Sequence, residues 1–232
     1  MVFQLSEELV FPDPYLGEED GLLAIGGDLS EERLLLAYSY GIFPWFSFRD
    51  WLHPAWYCPL KRFVIFPEEI HISHSMRTMM NKTTYRVSFN TDFDGVIEGC
   101  SQVDGRYYQN GAWLGEEMIT AYRHLNRQGY ASSVEVWNAQ NELVGGLYGV
   151  LSGPCFIGES MFSRVPNASK LALINLAKLL QRLGGKFIDC QLETAHLKSM
   201  GGRFISYDDY LSILNPRGYA SLRHHDEHGL QE

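Results

Sequence analysis

Nothing in this chain offers the cradle that nucleotide-driven chemistry uses. It has no Gly-x-x-x-x-Gly-Lys-Ser/Thr loop and no Gly-x-Gly-x-x-Gly fingerprint, so no glycine-rich turn is positioned to wrap a phosphate chain in backbone N–H groups. His-Glu-x-x-His and Gly-x-Ser-x-Gly are missing as well, which removes the strongest signals for a zinc protease and for an α/β-hydrolase nucleophile. Ser160 stands between Glu159 and Met161 rather than between glycines and is not expected to act as a nucleophile. Cysteine is scarce: Cys58, Cys100, Cys155 and Cys190 are scattered with no Cys-x-x-Cys pair, a pattern of buried reduced thiols rather than of disulfides or a zinc site. No stretch approaches the roughly 18 consecutive apolar residues that cross a bilayer. Met1 to Val10 carries acids where a signal peptide needs positive charge, so a cytoplasmic location is expected. Positive charge is itself in deficit. A net charge of −9 excludes a protein that coats nucleic-acid backbone, because such binding needs many unopposed Lys and Arg side chains.

The elements that are present alternate. Ser30 caps a helix that begins with Glu31 and Glu32 and stops at Gly41, placing a cap, acids at the positive end of the dipole and a terminating glycine in order. Ile42-Phe43-Pro44-Trp45-Phe46 follows, an aromatic run that proline keeps out of a helix or a central strand and that reads as a packed loop. Beyond Lys61 the expectation is a strand at Arg62 to Phe66, a helix at His74 to Asn81, a strand at Arg86 to Asn90, and helices at Asp92 to Cys100 and Glu116 to Gln128. An antiparallel meander is expected over Ser132 to Trp137, Leu143 to Leu151 and Cys155 to Met161, with turn residues between. The strongest helix is Ala168 to Leu183, closed by Gly184-Gly185, followed by a strand at Lys186 to Cys190 and a helix at Tyr207 to Leu214. Strands grouped before and after helices predict an α+β fold with a mixed central sheet.

Two apolar runs end in polar groups that burial would make costly unless something pairs with them: Gly158 to Arg164, and Phe187-Ile188-Asp189-Cys190-Gln191. Glu159, Asp189 and Gln191 are therefore candidates for an active-site wall. On a strand Asp189 and Gln191 point to one face and Cys190 to the other. The competing account has Glu159 paired with Arg164 or Lys170 and Asp189 capping the next helix. Lys61, Arg62, Arg77, Lys82 and Arg86 form a local basic cluster in the acidic chain, either a phosphate-binding patch or a solvated face. His224, His225 and His228 lie in a polar terminal tail and receive no role.

At these residues a family resemblance emerges. Gly21 to Leu29, Gly41 to Phe46, His71-Ile72-Ser73, Val96 to Cys100, Gly145-Gly146-Leu147-Tyr148-Gly149, Gly158 to Arg164, Ala168-Ser169-Lys170 and Ile188 to Gln191 run in order over nearly the whole chain. Together they closely resemble the bacterial leucyl/phenylalanyl-tRNA–protein transferases. Tyr57-Cys58 and Gly129 to Ser132 depart from that family's pattern.

The resemblance implies an enzyme that moves Leu or Phe, and Met less well, from charged tRNA to the α-amino group of proteins beginning with Arg or Lys, marking them for N-degron proteolysis. It implies a small N-terminal domain, 1–61, packed on a larger N-acetyltransferase-like (GNAT-like) catalytic domain, 62–232; a monomer is the default expectation. No cofactor or metal is expected, since an aminoacyl ester is already activated. Asp189, Gln191 and Glu159 become the catalytic set. Gln191 would orient the amine, Asp189 would polarise Gln191 or stabilise the developing ammonium, and Glu159 would contact the aminoacyl-adenosine or the amine. Trp45, Trp113, Phe156, Ile188, Leu147, Met161 and Leu176 become the aminoacyl side-chain pocket. Lys61, Arg62, Arg77, Lys82 and Arg86 become the tRNA contacts, mainly at the 3′ end. An acetyl-coenzyme A transferase would want a pyrophosphate loop that Gln181 to Lys186 does not complete at its last position. A noncatalytic adaptor would not need the polar set.

Overall fold

The computed structural model describes residues 2–45, 54–81, 84–102 and 115–217. These form two compact units, with one boundary between Arg62 and Phe63.

The first unit contains a four-stranded sheet of β1 (Phe3–Leu5), β2 (Leu22–Gly26), β3 (Phe43–Trp45) and β4 (Ala55–Tyr57), in the order β1-β2-β4-β3. Helix α1 (Glu31–Ser39) is capped as expected, Ser30 accepting from the Arg33 N–H. The aromatic run differs from the expected loop. Its described part is a strand, and Pro44 is tolerated because β3 lies at the edge of the sheet. The described residues from Phe204 onward also group with this unit, whereas the sequence placed them in the second domain. Aromatic packing is the reason. Tyr207 of α7 (Tyr207–Leu214) donates to the Tyr40 carbonyl at 2.9 Å, and the Tyr210 ring fills the space a side chain at Gly41 would need.

The second unit is built on a seven-stranded sheet in the order β11-β5-β10-β9-β8-β7-β6. Its strands are β5 (Lys61–Ile65), β6 (Arg86–Phe89), β7 (Ala131–Trp137), β8 (Leu143–Ser152), β9 (Cys155–Ser163), β10 (Ile188–Asp189) and β11 (Arg203–Ser206). The unit boundaries cut through β5 and β11 and set aside Ser152–Pro154. The sheet is mixed, as expected: β10 runs parallel to β9 and antiparallel to β5. The strand expected at Lys186 to Cys190 shrinks to two residues, and β11 was not anticipated.

Helix α5 (Ala168–Leu183) joins β9 to β10 and packs Leu171, Ile174, Leu176 and Ala177 against Val134, Val136, Phe156 and Ile188 in one apolar core. Helices α3 (Phe93–Ser101) and α4 (Glu116–Arg127) meet the opposite face, where the Phe93 and Tyr122 rings contact Tyr148 edge-on. Strand alternation sorts the residues: Leu147, Phe156 and Ile188 face the α5 core, and Tyr148, Glu159 and Asp189 alternate to the other side.

Candidate active site

Strands β9 and β10 pair only over Phe156↔Ile188 and Ile157↔Asp189. Glu159 lies two residues further along β9, which continues to Ser163, and Gln191 lies two residues beyond Asp189, past the carboxyl end of β10. Open α/β sheets bind ligands at such ends.

There the chain makes a strained turn. The Leu192 N–H donates to the Cys190 carbonyl at 2.7 Å, closing a γ-turn around Gln191, whose φ is +63°. The other non-glycine residues with positive φ among those described are Asn90, Asn141 and Asn167, and asparagine tolerates that region far better than glutamine. Asp189 secures the turn: its Oδ1 accepts from the Gln191 backbone N–H at 2.8 Å. The Gln191 side chain donates through Nε2 to Glu159 Oε1 at 3.3 Å, and the Tyr122 hydroxyl donates to Glu159 Oε2 at 2.8 Å. Asp189 is fully buried, and Glu159 and Gln191 are half-buried. The three predicted polar residues thus converge. Asp189 does not cap the next helix, α6 (Ala195–Ser199), whose N-cap is Thr194.

Tyr122 escaped the sequence reading because it stands in the stripe Met118, Ile119, Tyr122, Leu125 of α4, a spacing that reads as core. Beneath it, the Tyr148 hydroxyl is buried without a hydrogen-bond partner among the described residues. Burial first, then the neighbouring Tyr122, Glu159 and Cys100, pushes its ionisation well above the usual phenol range, so it stays a neutral phenol. An unmet buried hydroxyl costs about 1–3 kcal/mol. Tyr148→Phe is therefore expected to raise the melting temperature by about 2–12 °C, at roughly 2–4 °C per kcal/mol, read by calorimetry.

Burial excludes the nearby thiols from nucleophilic chemistry, because only a thiolate attacks well. It pushes Cys155 up to about 12 and raises Cys190 as well. The four cysteines are free. Among the described residues no His, Cys, Asp and Glu group could hold a metal ion.

Other predicted residues are placed less uniformly. Leu147, Phe156, Leu176 and Ile188 belong to the α5 core, with Met161 packed against it. Trp45 lies in the first unit, and Trp113, like Lys82, lies outside the described residues. Arg62 is buried, its guanidinium 4.8 Å from the centres of both the Phe43 and Tyr210 rings and donating to the Gly41 carbonyl at 2.6 Å. It therefore offers no surface cation to a phosphate. Lys61 and Arg77 are exposed, and Arg86 is exposed with its guanidinium over the Trp137 ring. Lys61 opens β5 and Arg86 opens β6, which stand second and last in the strand order.

The fold and site define an α+β protein equipped to bind and orient polar groups, with no armed nucleophile among the described residues. Comparison with known proteins supplies the family. The family model for leucyl/phenylalanyl-tRNA protein transferase matches residues 64–215, and that for its N-terminal domain matches residues 27–60. The leucyl/phenylalanyl-tRNA–protein transferase of Syntrophobacter fumaroxidans is 52% identical over 213 residues, covering 92% of this chain and 89% of its own. That of Flavobacterium johnsoniae is 48% identical over 217 residues, covering 93% and 100%. The chain belongs to the leucyl/phenylalanyl-tRNA–protein transferase family and is an aminoacyltransferase. Among solved structures, that of L-PGS from Bacillus licheniformis overlays 75% of this chain and 54% of its own at a TM-score of 0.41 and 12% identity, too remote to carry an argument. No described helix is long and apolar enough to cross a membrane.

Proposed function

We propose that this enzyme transfers Leu or Phe, and Met less well, from its tRNA to the α-amino group of proteins that begin with Arg or Lys, committing them to N-degron proteolysis in the cytoplasm. The observation that carries the reading is the meeting of the Gln191 amide with Glu159, at a turn that Asp189 holds. The parallel β9–β10 pair, whose pairing ends at Ile157↔Asp189, before Glu159 and Gln191, supports a GNAT-like description of the second unit.

An aminoacyl ester needs no activation. The amine nitrogen bonds to the ester carbonyl carbon, the carbon–oxygen bond to the ribose breaks, the nitrogen loses a proton and the ribose oxygen gains one. Positioning two reactants in attack geometry supplies roughly 7–11 kcal/mol of such a barrier. Gln191, whose amide is no base at neutral pH, orients the amine by a hydrogen bond. Asp189 acts through the Gln191 backbone, and its buried charge favours the developing ammonium. Glu159 contacts the incoming amine or the aminoacyl-adenosine. Leu147, Phe156, Leu176, Ile188 and Met161, on the α5 side of the strands whose other side carries Glu159, are proposed as the apolar wall for the Leu or Phe side chain, with Trp45 and Trp113 proposed to complete it. Lys61, Arg77, Arg86 and Lys82 remain the proposed phosphate contacts near the tRNA 3′ end. The chain is proposed to work as a monomer without a cofactor.

The test is transfer of labelled Phe from Phe-tRNA to a peptide beginning with Arg, beside one identical but for an initial Ala, without ATP or coenzyme A. Labelling of the Arg peptide alone is expected. Equal labelling of both would remove the acceptor rule, and binding of Phe-tRNA without transfer would reassign the protein as an adaptor.

A further inference from the structure

We infer that Tyr122 is a positioning residue for aminoacyl transfer, acting through Glu159. The inference rests on the proposed role of Glu159 and Gln191. In the α4 stripe a phenylalanine would pack as well as Tyr122, so the hydroxyl calls for a separate account. It has one in the bond it donates to Glu159 Oε2 at 2.8 Å. The other oxygen of the same carboxylate, Oε1, meets Gln191 Nε2 at 3.3 Å. One carboxylate is thereby held between donors from α4 and from the turn after β10.

The ring of Tyr122 is fixed. It is almost fully buried, and it meets the Tyr148 ring edge-on at 5.4 Å and 66°, while Tyr148 in turn meets Phe93 at 5.7 Å and 75°. Glu159 is half-buried on β9, beyond the last residue pair with β10, and, like any glutamate, has several side-chain torsions to lose on ordering. A donor on a locked ring restricts that freedom and keeps Oε1 toward Gln191. Without it the Gln191 amide loses a fixed acceptor, and the amine it orients is held less well.

The experiment is steady-state kinetics of Tyr122→Phe, Glu159→Gln and the double variant in the Phe-tRNA assay, each with its melting temperature. Tyr122→Phe is expected to lower kcat by about 10- to 100-fold, the scale of a misplacement near 1 Å. KM for Phe-tRNA should stay within about threefold, since the hydroxyl acts on orientation rather than on ground-state binding. The double variant should be no slower than Glu159→Gln alone, because residues that act as one unit are not additive. A kcat for Tyr122→Phe within about twofold of the parent would overturn the inference. So would losses that multiply in the double variant, or a fall in melting temperature that matches the fall in kcat. A parent enzyme that transfers nothing would overturn the functional reading itself, a result distinct from any of these.

Discussion

Asp189→Ala and Gln191→Ala are each expected to lower kcat for Phe transfer by about 10²–10³-fold, the scale of losing one preorganised donor at a developing charge. The two changes should reach a similar level by different routes. Gln191→Ala deletes the amide that meets Glu159. Asp189→Ala leaves the amide but removes the acceptor of the Gln191 backbone N–H, and a non-glycine residue at φ +63° costs about 1–3 kcal/mol unless its surroundings impose it. The turn then relaxes toward negative φ and carries the side chain away from Glu159. Asp189→Asn should be milder, since the Asn carbonyl oxygen can still accept that hydrogen bond. The double Ala variant should match the worse single, as expected for groups forming one unit. Single-turnover rates near the parent for both Ala variants would show that the turn does not serve the chemistry.

Gly149→Ala is expected to lower the melting temperature by about 8–16 °C, from about 4 kcal/mol at roughly 2–4 °C per kcal/mol for a chain of this size. Gly149 lies within β8 opposite Ser132 of β7. A Cβ there would collide with the Ile157 carbonyl and the Phe156 ring on β9. The carbonyl belongs to a central strand and cannot swing aside without disturbing the sheet, so the strain has no inexpensive exit. The disturbance would fall on the strand that carries Glu159, so activity should decline below the melting transition as well. Gly158→Ala is the control. A Cβ at Gly158 meets just the Asp189 carbonyl oxygen, at 3.2 Å, within 4 Å, and a shift of less than about 3 °C is expected. Similar shifts for the two variants, measured by calorimetry, would contradict this account of the strand packing.

The legible part of the fold was the part with strong local signals. Ser30, Gly41 and Gly184 mark helix ends in the sequence and in the structure. The long α5, the β7–β8 pairing and the mixed sheet were expected from periodicity and turn residues. Strands of two to four residues, such as β1, β10 and β11, hold too few residues for a period of two to show. The Gln191 conformation was also invisible, since nothing in Asp-Cys-Gln-Leu announces a positive φ. The turn forms because Asp189, pinned between β5 and β9, presents its carboxylate to the next backbone N–H but one.

The sequence by itself determined the class of elements, the scarcity of usable nucleophiles and metal motifs, and the candidacy of Glu159, Asp189 and Gln191 as polar groups that follow apolar runs. Those properties follow from residue chemistry and short-range spacing. Tertiary structure alone decided that Tyr122 joins that set, that Arg62 is held between two rings rather than offered to a phosphate, and that α7 belongs to the first unit. Each depends on contacts between residues far apart in the chain, where the same amphipathic pattern fits several partners and packing selects one.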